Sequence, residues 1–352
     1  MRQQQIDLQR RSFLKTSLAA AAGTAALGAA GVATAAGPKQ KTITSPHGIP
    51  MRKFGKTGHT LPVLAMGGSA FVRMFIRDYG MELLSTEERV KMVRSGYDKG
   101  VRYFDTARVY GESEAIIGEA LTGVRDEVYI ATKCHATDPA TVRQMVETSL
   151  KNLRTDYLDA VQVHSPAIER VGFEGAMKLH VELAKLRDEG VIRFLGLTTH
   201  VAFETVLQMI STGGFDQVLL AYGYFRKGML TILSNKKLEY REMCLAKAHE
   251  LDMGIVAMKV LGANIMSHNV KNYLPNYDKE KVAKLPAAAL RWTLQDERVS
   301  LLNIGVSEPA DIDRNIATLT GDLSFTNEDS MLLADFSAAA YESQLVKQMR
   351  VS

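Results

Sequence analysis

With 352 residues, 46% hydrophobic and 23% charged, the chain has the composition of a globular protein with ample core. That suits one barrel-sized domain or two smaller ones, and it excludes a disordered or fibrous chain. The formal charge is +4, but four basic side chains (Arg2, Arg10, Arg11, Lys15) against one acid (Asp7) fall within the first 35 residues. The body is therefore close to neutral and offers no electrostatic case for nucleic acid. The two cysteines exclude a four-thiolate iron–sulfur or zinc centre and a disulfide scaffold.

Gln9-Arg10-Arg11-Ser12-Phe13-Leu14-Lys15 resembles a twin-arginine (Tat) export motif. An Ala/Gly-rich run, Thr16 to Val32, follows it, and Ala33-Thr34-Ala35 has the small–x–small form of a cleavage site. That run is too weakly hydrophobic for a stable span, and no other stretch is long and apolar enough to cross a bilayer. Residues 1–35 are thus expected to be a Tat signal peptide, either cleaved or kept as an anchor. The export machinery is then a partner, membrane contact is transient, and the destination is periplasmic or otherwise extracytoplasmic. Residues 36–50, carrying Pro38, Pro46 and Pro50, read as a linker, and 51–352 as a single domain.

From Met51 the pattern alternates strand and helix. Met51–Phe54 and Gly58–Pro62 suggest a small hairpin ahead of a first core strand, Val63–Met66. A long loop, Gly67–Leu84, precedes a helix opened by Ser85. Strand two, Val101–Phe104, delivers Asp105, and a helix is expected over Glu114–Leu121. Strand three, Glu127–Thr132, ends at Lys133, and Asp138-Pro139 opens its helix. Strand four, Leu158–Val163, ends at His164, with its helix over Glu174–Glu189. Strands five to eight are placed at Phe194–Leu197, Gln217–Ala221, Gly254–Met258 and Leu301–Ile304. The intervening helices are Ala202–Ser211, one from Lys237 to about Leu251, and Pro286–Gln295, followed by Pro309–Leu319 and a last helix from Asn327 to about Lys347. Eight strand–helix pairs with near-continuously apolar strands predict an α/β (β/α)8 TIM barrel. A doubly wound nucleotide-binding sheet lacks its G-x-G-x-x-G, since Gly67-Gly68 alone marks no more than a turn.

Barrel enzymes work at the C-terminal ends of their strands. Those positions hold Asp105 with nearby Tyr110, then Lys133, then His164, on three consecutive strands. A phenol near its reference pKa of ~10 is a reluctant acid at neutral pH. A lysine ammonium beside it, itself held by a carboxylate, would lower that value, and an imidazole could orient a carbonyl. Other chemistries use the same side chains. His135, His164 and His200 near strand ends three to five would suit a zinc hydrolase, although no H-x-H opens strand one.

The string Gly100-Val-Arg-Tyr-Phe-Asp105-Thr-Ala-Arg-Val-Tyr110-Gly-Glu-Ser-Glu114, with Ala131-Thr132-Lys133 and His164, resembles the aldo-keto reductase superfamily over roughly Met51 to Leu319. The resemblance implies reversible hydride transfer between NADP or NAD and a small aldehyde or ketone. Tyr110 would be the general acid, Lys133 and Asp105 its tuning pair, and His164 the carbonyl-orienting residue. It further implies that Gln217 and the pair Thr198-Thr199 hold the carboxamide, that Met258 packs on the nicotinamide, and that Gly305, Ser307 and Asn315 face the adenosine. A cation common in the family is absent at Ser307, where Glu308 follows, and this leaves NAD and NADP both open. Gly196–His200 and Ala257–Gly262 resemble a bacterial branch, some members of which add a ferredoxin-like C-terminal segment that two cysteines cannot build. Loops Gly67–Leu84, Tyr222–Lys237 and Gly262–Lys284, rich in Phe, Tyr and Met, suggest a largely apolar substrate. Some members of the superfamily are non-catalytic nicotinamide-binding modules, and that reading stays beside the enzymatic one.

Overall fold

The computed structural model describes residues 43–73 and 82–352. The proposed signal peptide lies outside them, as do residues 36–42 of the proposed linker and Met74, Phe75 and Tyr79 of the first long loop. The last residues of the proposed linker are packed rather than free. Met51 N–H donates to the Ile43 carbonyl, Ser45 and Ile49 close a turn, and Ile49 is fully buried.

A hairpin of β1 (Met51–Lys53) and β2 (Thr60–Pro62) precedes the barrel strands. These are β3 (Leu64–Gly67), β4 (Tyr103–Asp105), β5 (Tyr129–Cys134), β6 (Leu158–Val163), β7 (Ile192–Thr199) and β8 (Gln217–Ala221). After a two-residue β9 (Thr231–Ile232) come β10 (Gly254–Met258) and β11 (Leu301–Gly305). The eight core strands are parallel and close in the order β3-β4-β5-β6-β7-β8-β10-β11 back to β3, the predicted (β/α)8 barrel. β9 pairs instead with a C-terminal β12 (Arg350–Val351), which the sequence pattern did not suggest. Closure leaves no sheet edge, and burial on both faces explains the continuous apolar runs.

The hairpin stoppers the N-terminal end. Phe54 is fully buried and meets Tyr103 and Tyr129 edge-on, with centroids at 5.6 and 5.5 Å, while those two rings stack at 5.0 Å. Gly254 permits this contact, because a Cβ there would sit 2.5 Å from the Phe54 ring. The open, C-terminal end is thereby left as the working face.

The helices are α1 (Thr86–Asp98), α2 (Ser113–Ala120), α3 (Val142–Leu153), α4 (Ser165–Asp188), α5 (Phe203–Ser211), α6 (Asn235–Glu250), a one-turn α7 (Val270–Tyr273), α8 (Lys279–Leu294), α9 (Pro309–Thr320), α10 (Asn327–Glu342) and α11 (Gln344–Lys347). Ser85 opens α1 with a capping box to Glu88, as expected. Three helices depart from the expected limits. α4 begins nine residues before Glu174, directly after His164, and Gly172, with φ of 67°, breaks it near the expected start. α8 begins at Lys279 rather than Pro286, because Asp278 caps the N–H groups of Glu280 and Lys281, and Pro286 sits inside the helix. The last predicted helix is two, divided at Ser343, whose extended backbone ends one and whose side chain caps the next. Among the described residues no helix is long and apolar enough to cross a membrane.

Candidate active site

β4 ends in Asp105, β5 carries Lys133 one residue before its end, and His164 follows β6 directly, so adjacent parallel strands bring the three side chains to one rim. Tyr110 stands in the turn before α2. Lys133 Nζ donates to Asp105 Oδ2 at 2.7 Å and to the Thr106 carbonyl at 2.6 Å, and the two side chains are 2% and 4% exposed. The ammonium also hydrogen-bonds the Tyr110 side chain and lies 4.8 Å from its ring centroid. The His164 ring meets the Tyr110 ring edge-on at 6.1 Å. All four line a cavity of about 350 Å³ in the barrel mouth.

Two partners of this cluster escaped sequence reading. Gln162 Nε2 and Asn303 Nδ2 donate to the two Asp105 oxygens at 3.0 and 3.1 Å, so with Lys133 three donors hold the carboxylate in one rotamer. The available signal was a single amide inside each of two mainly apolar strands, the first of which also carries Asp159. Glu112 and Glu114, at the start of α2, hold neighbouring elements rather than the cluster. Glu112 pairs with Arg89, and buried Glu114 accepts from Thr132 at 2.8 Å and Asn152 at 3.0 Å.

Burial pushes the Tyr110 phenol upward, and the Lys133 ammonium, pulling down, does not offset it. The net direction is opposite to that expected from the ammonium alone, so Tyr110 keeps its proton at neutral pH. Burial also works against the Lys133 ammonium, but Asp105 and Tyr110 outweigh it and hold Lys133 above its ordinary value. Burial and the nearby Lys133 charge bring His164 down to about 3. This imidazole is neutral throughout the physiological range, and its Nδ1 is buried without a partner. Burial likewise holds His200 well below the ordinary histidine value.

The expected cofactor residues divide. Thr198, Met258 and Gly305 line the cavity. Gln217 does not: it lies fully buried inside the barrel, accepting from the Tyr129 hydroxyl at 2.7 Å and donating to that of Tyr103 at 3.0 Å. Thr199 Oγ1 is engaged by the N–H groups of Val201 and Ala202 at the start of α5. Ser307, two residues after β11, and Asn315, on α9, are buried and do not line the cavity. Ser307 Oγ donates to the Ala70 carbonyl at 3.3 Å, and the N–H groups of Ser307 and Glu308 donate to Asp311 Oδ2.

The zinc arrangement is not assembled. His164 and His200 line the mouth, whereas His135 lines a separate recess with Arg108. Among the described residues only His268, Glu308 and Asp311 offer three ligand atoms close together, and Arg314 occupies both carboxylates. Burial pushes the Cys134 thiol up to about 11, which makes it a poor nucleophile.

A closed parallel barrel with a lysine–carboxylate–tyrosine–histidine cluster at its C-terminal mouth defines a barrel oxidoreductase architecture. The chain belongs to the aldo/keto reductase family, whose model matches residues 76–330, and it is an oxidoreductase enzyme. It is 25% identical over 300 residues to L-galactose dehydrogenase of Arabidopsis thaliana, covering 77% of this chain and 88% of that one. It is 36% identical over 130 residues to aldo-keto reductase YhdN of Bacillus subtilis, covering 32% and 38%. Among solved structures, the holo form of aldo-keto reductase AKR11C1 from Bacillus halodurans shares the fold with a TM-score of 0.62 at 18% identity, over 84% of this chain and 99% of that one.

Proposed function

We propose that the protein reduces an aldehyde or ketone to the alcohol, reversibly, with Tyr110 as proton donor. The observation that carries this reading is the convergence of Asp105, Lys133, Tyr110 and His164 on one cavity. A reduced nicotinamide, when bound, supplies the hydride. The wall suits a polar cofactor, since Asn303 Oδ1 and Asn264 Nδ2 are buried without partners there. Lys259, brought down to about 8 by burial and by Lys227, faces the same cavity and would hold an anionic portion of the cofactor. Tyr110 gives its proton to the carbonyl oxygen while Lys133 offsets the charge left on the phenolate. Neutral His164, with Nδ1 buried, presents Nε2 to the same oxygen. Val109, Pro166, Leu219, Met229 and Leu261 give the wall a broad apolar part, which favours an apolar carbonyl substrate.

We infer NADH as the reductant, resting on the assignment of the Gly305–Asn315 segment to the adenosine side. Its one cation, Arg314, is bound to Glu308 at 2.8 Å and to Asp311 at 2.5 Å, and His268 also bonds Asp311. A 2′-phosphate there meets two carboxylates and no free guanidinium. Fluorescence titration should give NADH on the order of tenfold tighter binding than NADPH. Tighter NADPH would contradict the inference.

The displacement of Gln217 into the barrel interior favours a second reading, a nicotinamide-binding module, which differs by binding without turnover. We also propose export through the twin-arginine route, from the Arg10-Arg11 motif and the run after it. Any cofactor would then travel inside the folded protein and be recycled between two substrates. Exported protein purified without nucleotide, and rebinding it weakly, would count against that.

A further inference from the structure

A second cavity, of about 760 Å³, shares no lining residue with the barrel mouth. Residues 223–235, α6, α8, α10 and Val351 of β12 line it, and among the described residues no acidic side chain does. Two arginines do.

Arg241, on α6, is 8% exposed, and its Nε has no partner. Its nearest acid is Glu242, at 3.9 Å, which Arg298 holds more closely at 2.9 Å. A guanidinium carries five N–H donors and keeps its charge when buried. Leaving the buried Nε–H unmet is costly unless something else meets it. Arg226 adds a second positive charge at the edge, and the buried Ser337 hydroxyl on α10 also lacks a partner.

The remaining wall is aromatic and held in place. Trp292 stacks on Tyr222 at 5.5 Å and meets Tyr224 edge-on at 5.6 Å. Tyr341 stacks on Phe225 at 4.7 Å and accepts from the Arg226 N–H. The guanidinium lies 4.8 Å from the Tyr222 ring centroid and only distantly from Glu242, and its unmet Nε–H, with an unmet hydroxyl beside flat, fixed rings, matches a flat molecule with one anionic group.

We propose that this cavity binds a small aromatic acid, its carboxylate on Arg241 and Ser337 and its ring against Trp292 and Tyr224. Carbonyl reduction does not require this site, and the assignment stands independently of that activity.

Trp292 is the only tryptophan of the chain and lines the site, so its fluorescence reports occupancy directly. The full protein is titrated with benzoate, with benzamide as the neutral isostere, and with inorganic phosphate. Benzoate should quench saturably, benzamide about tenfold more weakly or worse, and phosphate not at all. Arg241→Lys keeps a charge but loses the planar fork, and it should weaken benzoate about tenfold. Ser337→Ala, a smaller change on a helix, should weaken it several-fold and protects the test against a folding defect in the first variant. An absent benzoate response would overturn the proposal. So would equal binding of benzamide, phosphate matching benzoate, or wild-type affinity in both variants.

Discussion

Tyr110→Phe lowers kcat for aldehyde reduction by about 10²–10⁴-fold while leaving the Kd for NADH unchanged. The ring is retained, so its edge contact with His164 and its cation contact with Lys133 survive. Only the hydroxyl is lost, and with it the proposed proton donor. Burial keeps that hydroxyl protonated at neutral pH, the state a donor requires. Because the loss falls on the chemical step, steady-state kinetics should show it in kcat and kcat/KM together. A loss confined to KM would assign the hydroxyl to substrate binding.

Lys133→Met costs both activity and stability. It leaves Asp105, 4% exposed, as a carboxylate with only two neutral amide donors. Breaking a buried pair from one side typically costs about 3–5 kcal/mol, much of it from the charge left behind. Urea denaturation should show that loss as a lower midpoint with little change in slope. The double change Asp105→Asn with Lys133→Met removes both charges and should recover much of the stability but none of the activity. Equal stability in the single and double variants would mean that the pair contributes no coupling. The sign with pH follows from the raised Lys133 value. Its contribution is fully present below the ordinary lysine pKa and is lost only as pH rises through the higher folded value, so the pair holds at neutral pH.

The barrel was legible because its strands are buried on both faces and its helices are punctuated. Leu158–Val163, Gln217–Ala221 and Gly254–Met258 coincide with the observed strands to the residue, each a mainly apolar, buried stretch between turn signals. Boundaries set by capping were harder to read. Pro286 resembles a first-turn proline, yet Asp278 opens the helix a full two turns earlier. The rim residues were legible because strand ends are fixed by the strands themselves. What supports them was not, because Gln162 and Asn303 reach Asp105 across 57 and 198 residues of sequence. Gln217 shows the converse. Its local string fits a cofactor contact, but the hydroxyls of Tyr103 and Tyr129, 114 and 88 residues away, are buried in the barrel and need a partner. That long-range demand takes the amide.

The most direct test mixes protein preloaded with one equivalent of NADH with an aromatic aldehyde and follows nicotinamide absorbance through a single turnover, in wild type and in Tyr110→Phe. The predicted result is stoichiometric oxidation of bound NADH by wild type, with Tyr110→Phe binding NADH equally and oxidising it slower by at least about a hundredfold. Oxidation at equal rates in both proteins, or NADH bound by wild type without any oxidation, would contradict it.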